Sequence, residues 1–266
     1  MAQNETAASI ADSAKPNAGR IYDYILGGNH NFEVDRIASK QVLKIAPYAE
    51  KLFRLVRWFL GEAVRRQAAE GYAQFIDFAS GLPTVDHIHQ VAPAGTKVIY
   101  SDIDPVTVAY GQEIIKDLPD VRYGVCRAEK PEELLNSPMV ETLFGKRRKV
   151  VIGLNGVAYF ISNDALHHTM RVLYDWAEKG SRLFMCDIGY EGTSLSPESK
   201  AAVELYAKLG QPLFIRSQTE LVEINKPWKV MEPGYRPLEE WVGVNGGVAE
   251  ASQGAGFNMV GAILEK

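Results

Sequence analysis

From Gln74 onward, short apolar runs alternate with helix-length segments, and this rhythm constrains the fold more than any other feature of the chain. Phe75–Phe78, Lys97–Asp102, Val121–Val125, Val150–Leu154 and Arg182–Asp187 read as strands. Between and after them, 85–92, 106–116, 131–144, 164–178 and 197–209 read as helices. Strands that are apolar along their whole length must be covered on both faces, and parallel neighbours need crossovers long enough to hold a helix. Five such repeats predict an α/β fold with a parallel sheet between two helical layers. Ser217–Glu220 has the spacing of a capping box opening a short helix. Trp228–Glu232 and Phe257–Leu264 add two strands, separated by a Gly-rich connection over 243–256. The expectation is a Rossmann-like, mostly parallel seven-stranded sheet that ends in an antiparallel pair.

Upstream, the pattern is helical. One helix starts after Asn17 and stops at Gly27-Gly28; a second spans 32–46 and ends before Pro47; a third runs over 48–70 to Gly71. Residues 1–15, rich in Ala, Ser and Asn, read as a disordered tail. The expected organisation is tail 1–15, a helical extension 16–72 and an α/β domain 73–266. The hydrophobic share of 46% and charged share of 23% are those of a globular protein. No stretch approaches the roughly 18 apolar residues of a membrane span.

A net charge of −4 argues against a phosphate-backbone partner, so nucleic acid and membrane are not expected partners. The short basic clusters Arg65-Arg66 and Lys146–Lys149 read as solvated faces. Cys126 and Cys186 suit neither a disulfide framework nor a zinc site. His167-His168 are adjacent and point in different directions, so no metal is expected. The N-terminus has no basic start followed by an apolar stretch, and a reducing cytoplasm is the expected location.

In an open α/β sheet, ligands bind beyond the carboxyl ends of the strands, where strand order reverses. The first strand and its turn read F-I-D-F-A-S-G-L-P-T, residues 75–84. Small residues Ala79, Ser80 and Gly81 allow a ligand to approach the backbone closely, and Asp77 supplies a carboxylate able to hold an ammonium group. One glycine and a proline are poor chemistry for cradling a pyrophosphate, which calls for G-x-G-x-x-G. The second strand ends at Asp102, placed to accept the hydroxyls of a ribose. Pro105 suits the first turn of the following helix, with Asp104 as its cap. The two acids together predict a nucleoside pocket.

Segments 75–84 and 98–105 resemble the first two motifs of class I S-adenosylmethionine methyltransferases. P-N-A-G-R-I-Y-D-Y-I-L-G-G-N-H-N-F-E-V-D-R at 16–36, G-S-R-L-F-M at 180–185, I-R-S-Q-T-E-L at 215–221 and M-E-P-G at 231–234 are similar to a bacterial methyltransferase family formerly classed as a domain of unknown function. The resemblance implies S-adenosyl-L-methionine as cofactor. Asp77, Ala79, Ser80 and Gly81 would line its methionine end, Asp102 its ribose, and Ile103 its adenine. Cys126, Arg127 and Ala128 would flank the base, and Asn155 and Gly156 would lie below the sulfonium. Three positions depart from the wider pattern: Pro83 in place of a glycine, Cys126-Arg127 where an Asp is common, and Val157-Ala158-Tyr159 where relatives show Leu-His.

The 16–36 motif is expected to lie over the site as a lid, with Arg20 pairing the methionine carboxylate and Tyr22 facing the methyl group. Asp23, His30 and Tyr159 are the candidates for a general base. Asp187, Tyr190 and Glu191 follow the fifth strand, on the edge where an acceptor would bind. No Asn/Asp-Pro-Pro-Tyr motif follows the fourth strand, so the expected acceptor is a small molecule methylated on O or N. Two other readings stay open from sequence: a nucleoside-binding regulator without catalysis, and a nicotinamide oxidoreductase lacking the glycine fingerprint.

Overall fold

The computed structural model describes residues 15–189, 195–244 and 257–266. The tail expected over 1–15, Tyr190, Glu191 and nearly all of the Gly-rich connection therefore lie outside the described residues.

Three helices come first: α1 (Ala18–Ile25), α2 (Glu33–Ile45) and α3 (Ala49–Ala69). The alternating part then runs β1 (Gln74–Phe78), α4 (Ile88–Val91), β2 (Lys97–Asp102), α5 (Pro105–Ile114), β3 (Val121–Val125), α6 (Glu132–Leu135), α7 (Pro138–Phe144) and β4 (Val151–Leu154). A 3-10 turn at Ala158–Phe160 leads to α8 (Asn163–Trp176), β5 (Arg182–Gly189), α9 (Pro197–Lys208), α10 (Gln218–Ile224), β6 (Lys229–Val230), β7 (Arg236–Pro237), α11 (Leu238–Val242) and β8 (Asn258–Glu265). The helix starts follow local chemistry. Asn17, Asp104, Ser162, Ser196 and Ser217 each accept a hydrogen bond from the first turn of the helix they open, and Pro105 and Pro197 supply a preset φ.

The sheet order is β3-β2-β1-β4-β5-β8-β6, with β7 pairing β8 as well. β1 to β5 are parallel, and β8 runs antiparallel to β5 over its full length. The sheet is the expected α/β arrangement with an antiparallel end, and it carries eight strands, the two-residue β7 being the addition. Strand order reverses between β1 and β4, so a crevice opens beyond Phe78 and Leu154.

Side-chain alternation divides the core. Ile76, Phe78, Ile152, Leu154, Leu183 and Met185 face a layer built from α6, α7, α8 and α10. Phe75, Val98, Tyr100, Val151, Phe184 and Cys186 face the opposite layer, whose backbone is α3, with Leu55, Val56, Phe59, Leu60 and Ala63 buried on them. This corrects the division at residue 72: α3 is a wall of the sheet domain's core, and only α1 and α2 stand apart from it. Those two helices form their own apolar cluster, in which Ile21, Ile25, Ala38, Val42 and Ala46 pack with Ala49 of α3 and Tyr206 of α9.

Candidate active site

A cavity of about 700 Å³ lies over the carboxyl ends of β1, β2, β4 and β5, bounded by α3 and roofed by α1 and α2. Its floor is the turn after β1, and that turn is braced at successive residues. The Ser80 amide donates to the Ser101 carbonyl at 2.8 Å, and its hydroxyl donates to the Asp77 carbonyl at 2.7 Å. His87 Nδ1 accepts from the Ile88 amide, so Nε2 carries the proton and donates to the Ser80 carbonyl at 3.0 Å. Full burial drives the His87 pKa well below its ordinary value, which keeps the ring neutral. The Gly81 amide donates to Asp102 Oδ2 at 3.1 Å, and Tyr123 Oη donates to the Gly81 carbonyl at 2.6 Å. Ala79 and Gly81 have φ of 52° and 61°, the left-handed geometry that turns the chain back over the strand ends.

Asp77 shares a sheet face with Phe75, so it projects toward α3, where Arg57 sits. The strand residue opposite is Gly153, and a Cβ there would come within 2.2 Å of Asp77 Oδ1 and 2.7 Å of the Phe184 ring. The missing side chain is what makes room for the carboxylate. Asp77 Oδ1 is buried and has no hydrogen-bond partner, as are Oδ1 of Asn155 and Nη1 of Arg57. All three residues line the cavity. Burial pushes the Asp77 carboxyl up to about 7, with its Ser80 bond and the Arg57 charge pulling the other way. Asn155 is held by donation from Nδ2 to the Val56 carbonyl at 3.1 Å, which ties the end of β4 to α3.

Asp102 accepts the Asp104 amide on Oδ1 at 3.0 Å and the Gly81 amide on Oδ2, and burial raises its pKa to about 6. Ile103 lies beside it with 44% of its surface exposed to the crevice. Cys126, Arg127 and Ala128 complete that wall; burial raises the Cys126 thiol to about 11, so it is a packing group at neutral pH. Gly156, at φ 79°, donates its amide to Cys186 Sγ at 3.1 Å. Every residue placed from sequence against the cofactor along the strand ends therefore lines this one cavity.

The N-terminal motif is arranged differently from the sequence reading. Arg20 does not line the cavity: Nε donates to Asp35 Oδ2 at 2.8 Å, Nη1 to Asp104 Oδ2 at 2.7 Å and Nη2 to the Lys15 carbonyl at 2.8 Å. Its guanidinium is occupied by protein, so it acts as a tether between the roof and the ribose-side loop. Besides Arg127 on the β3 side, the cation that lines the cavity is Arg57 of α3, which sequence reasoning passed over among the charges of that helix. Its one signal was position, since Phe53, Arg57, Leu60 and Val64 fall on one helix stripe. Tyr22 lines the cavity, but its hydroxyl donates to the Phe53 carbonyl at 2.9 Å.

Asp23 braces the Gly-Gly turn, accepting the His30 amide and Asn31 Nδ2, both at 3.0 Å. His30 stacks edge-on against Tyr110 and, with Asp23, borders a separate cavity of about 300 Å³. Neither stands in the main cavity, whereas Tyr159 does. Burial raises the Tyr159 phenol well above its ordinary value, so it stays protonated and can donate a proton in a hydrogen bond but not act as a base. Asp187 is likewise out of the cavity. It accepts from Arg216 Nη1 at 2.8 Å in a buried ion pair, and Arg216 also donates to Asn163 and to the carbonyls of Ala158 and Ile161. The pair pins the turn that carries Tyr159 to the end of β5.

A cofactor with an amino-acid end and a nucleoside end fits these residues. The unpartnered carboxylate and amide oxygens suit an ammonium, the unpartnered guanidinium nitrogen suits a carboxylate, and Asp102 keeps lone pairs for hydroxyl donors. Among the described residues no cluster of three or more metal-binding side chains exists, and no helix is long and apolar enough to cross a membrane.

Comparison with known proteins agrees. A search of curated proteins found no match. A candidate methyltransferase from Thermobifida fusca superposes with a TM-score of 0.85 at 26% identity, covering 97% of each chain. A DUF574 family protein from Streptomyces avermitilis gives 0.83 at 24%, covering 96% of this chain and 99% of its own. Magnesium protoporphyrin IX methyltransferase from Synechocystis shares the fold at 0.52 and 12%, covering 92% and 93%. The family profile described as S-adenosyl methyltransferase matches residues 3–264, and this sets the nicotinamide reading aside. With that match spanning nearly the whole sequence, the chain belongs to the S-adenosyl methyltransferase family, enzymes that take their methyl group from S-adenosylmethionine.

Proposed function

We propose that this protein transfers the methyl group of S-adenosylmethionine to an O or N atom of a small molecule, with Asp77, Asn155 and Arg57 holding the amino-acid end of the cofactor. The observation that carries this reading is the trio of buried, unpartnered polar atoms in one cavity, because leaving such atoms unsatisfied costs about 1–3 kcal/mol each. In the proposed assignment Asp77 Oδ1 and Asn155 Oδ1 accept from the ammonium, and Arg57 Nη1 donates to the carboxylate. Asp102 accepts from the ribose hydroxyls, Ile103 covers the adenine, and Ala79, Ser80 and Gly81 let the chain pass close to the methionine stem. Cys126, Arg127 and Ala128 border the base, while Gly156 lies under the sulfonium. The α1–α2 roof serves as a lid that keeps water from the transfer.

The bound cofactor supplies a methyl group on a positively charged sulfur, ready for in-line displacement. The protein's part is then positioning, worth several powers of ten when two reactants are aligned. Tyr159 is suited to orient the acceptor by donating its hydroxyl hydrogen, and Asp23 and His30 have no place in this scheme.

Calorimetric titration with S-adenosylhomocysteine tests the assignment. Replacing Arg57 with Ala is expected to weaken binding about 10–100-fold, the range for loss of a charge-assisted hydrogen bond. An unchanged dissociation constant would remove Arg57 from the site.

A further inference from the structure

The cavity has two chemically different halves. Among the described residues, its ionisable groups other than tyrosine and cysteine are Arg57, Asp77, Asp102, Asp104, Arg127 and Glu129, and all six belong to the side built on β1, β2 and β3 or to the methionine corner. The half beyond β4 and β5 is walled by Val42, Ala46, Phe160, Ile188, Ala202 and Met259. The polar side-chain groups offered there are the Gln211 amide, whose Oε1 is buried without a partner, and phenol hydroxyls. That of Tyr22 is already bonded to the Phe53 carbonyl, while those of Tyr159 and Tyr206 take no partner from the described residues. An added Cβ on Gly156 would lie 3.5 Å from the Tyr159 hydroxyl, so this donor stands directly beside the residue at the end of β4. Burial pushes both phenols far up, and both remain hydrogen-bond donors at neutral pH.

Two exclusions follow. A charged acceptor would leave water for an apolar chamber without a counter-charge among the described residues, which costs several kcal/mol. An aliphatic alcohol would need a base to become a nucleophile, and the chamber's described residues provide none. A phenol, by contrast, has a pKa near 10 and ionises in about one molecule in a thousand at pH 7 unaided. A phenol that enters neutral can be oriented by the Tyr159 hydroxyl beside Gly156, the charge that develops on its oxygen is cancelled as the methyl arrives from a positively charged sulfur, and the aromatic walls suit a planar ring.

We infer, resting on the methyltransferase reading above, that the acceptor is an uncharged, ring-bearing small molecule methylated on a phenolic or enolic oxygen. In the transfer the acceptor O–H proton is released to water, the new O–C bond forms as the S–C bond breaks, and the electron pair of that bond stays on sulfur. The products are S-adenosylhomocysteine, an aryl or enol methyl ether and a proton.

The probes are 2-naphthol, 2-naphthoate and 2-naphthylmethylamine, titrated calorimetrically into protein saturated with S-adenosylhomocysteine. The expected result is that 2-naphthol binds at least ~10-fold more tightly than either charged analogue. Ala202→Trp, which fills the chamber from α9, is expected to abolish naphthol binding and leave S-adenosylhomocysteine affinity within about twofold. Equal or tighter binding of the acid or the amine to the unaltered protein overturns the inference, as does naphthol binding that ignores the Ala202→Trp bulk. Failure of S-adenosylhomocysteine to bind at all is a separate outcome, and it overturns the underlying reading along with this one.

Discussion

At the scale of single residues, the site depends on an absence. Gly153 interrupts the otherwise apolar β4 so that the Asp77 side chain can occupy the space a Cβ would fill. Replacing it with Ala forces the carboxylate or the Phe184 ring to move, an overpacking cost of about 1–3 kcal/mol. We expect Gly153→Ala to fold with unchanged far-ultraviolet circular dichroism and to bind S-adenosylhomocysteine about tenfold more weakly or worse. Wild-type affinity in that variant would show that the position of Asp77 does not matter. Asp77 and Asp102 were legible in the sequence because strand ends can be located from apolar runs. Arg57 was not, since its place on an apolar stripe of α3 marks an inward-facing position but not that a cavity opens there. Arg20 misled for the same reason: its chemistry suited a carboxylate, but Asp35 and Asp104 reach it first.

At the scale of elements, bounds were readable where apolar patterning alone decides them and unreadable where the backbone does. β2 and β3 fall on the expected residues, and α2, α3 and α8 within two of theirs. The helix expected over 85–92 shrinks to Ile88–Val91, because Asp86 is at φ 54° and His87 caps the first turn. The single helix expected over 131–144 divides at Ser137-Pro138, where proline can begin a helix but not continue one. β7 has two residues, too few to show any period. The loop after β4 is fixed by the Asp187–Arg216 pair rather than by its own sequence, and this suggests a direct measurement. Arg216→Met leaves Asp187 buried without its partner and should cost about 3–5 kcal/mol in urea unfolding. The double change with Asp187→Leu should recover most of that loss; no recovery would mean the remaining Arg216 bonds to the 158–161 carbonyls carry the effect.

At the scale of the whole molecule, proton balance and ligand binding are linked through the sheet's C-terminal edge. Asp77 and Asp102 have pKa values raised to about 7 and about 6 by burial, so between about pH 4 and those values each holds in the free protein a proton that the unfolded chain would have lost. Their contribution to stability is full below about 4 and disappears as pH rises through 6 to 7. Buried His87 and half-buried His89 are shifted down and act in the opposite sense, so thermal stability mixes the two effects. Affinity separates them. An ammonium calls for the carboxylate form of Asp77, and binding below its pKa must expel a proton. S-adenosylhomocysteine affinity is therefore expected to rise about tenfold per pH unit up to about 7 and then level off. Asp77→Asn should lose most of that slope along with most of the affinity. A flat profile in the unaltered protein would mean that Asp77 is not the ammonium's partner.

The turn after β1 adds one consequence. Its backbone groups are already engaged by Ser101, His87, Asp102 and Tyr123 before any ligand arrives. A loop held on so many sides has no conformational freedom left to surrender when a small molecule settles on it, so association there carries no ordering cost. Selectivity between the cofactor and its spent form must then come from the single methyl group and its charge, the one difference that a rigid floor cannot adapt to.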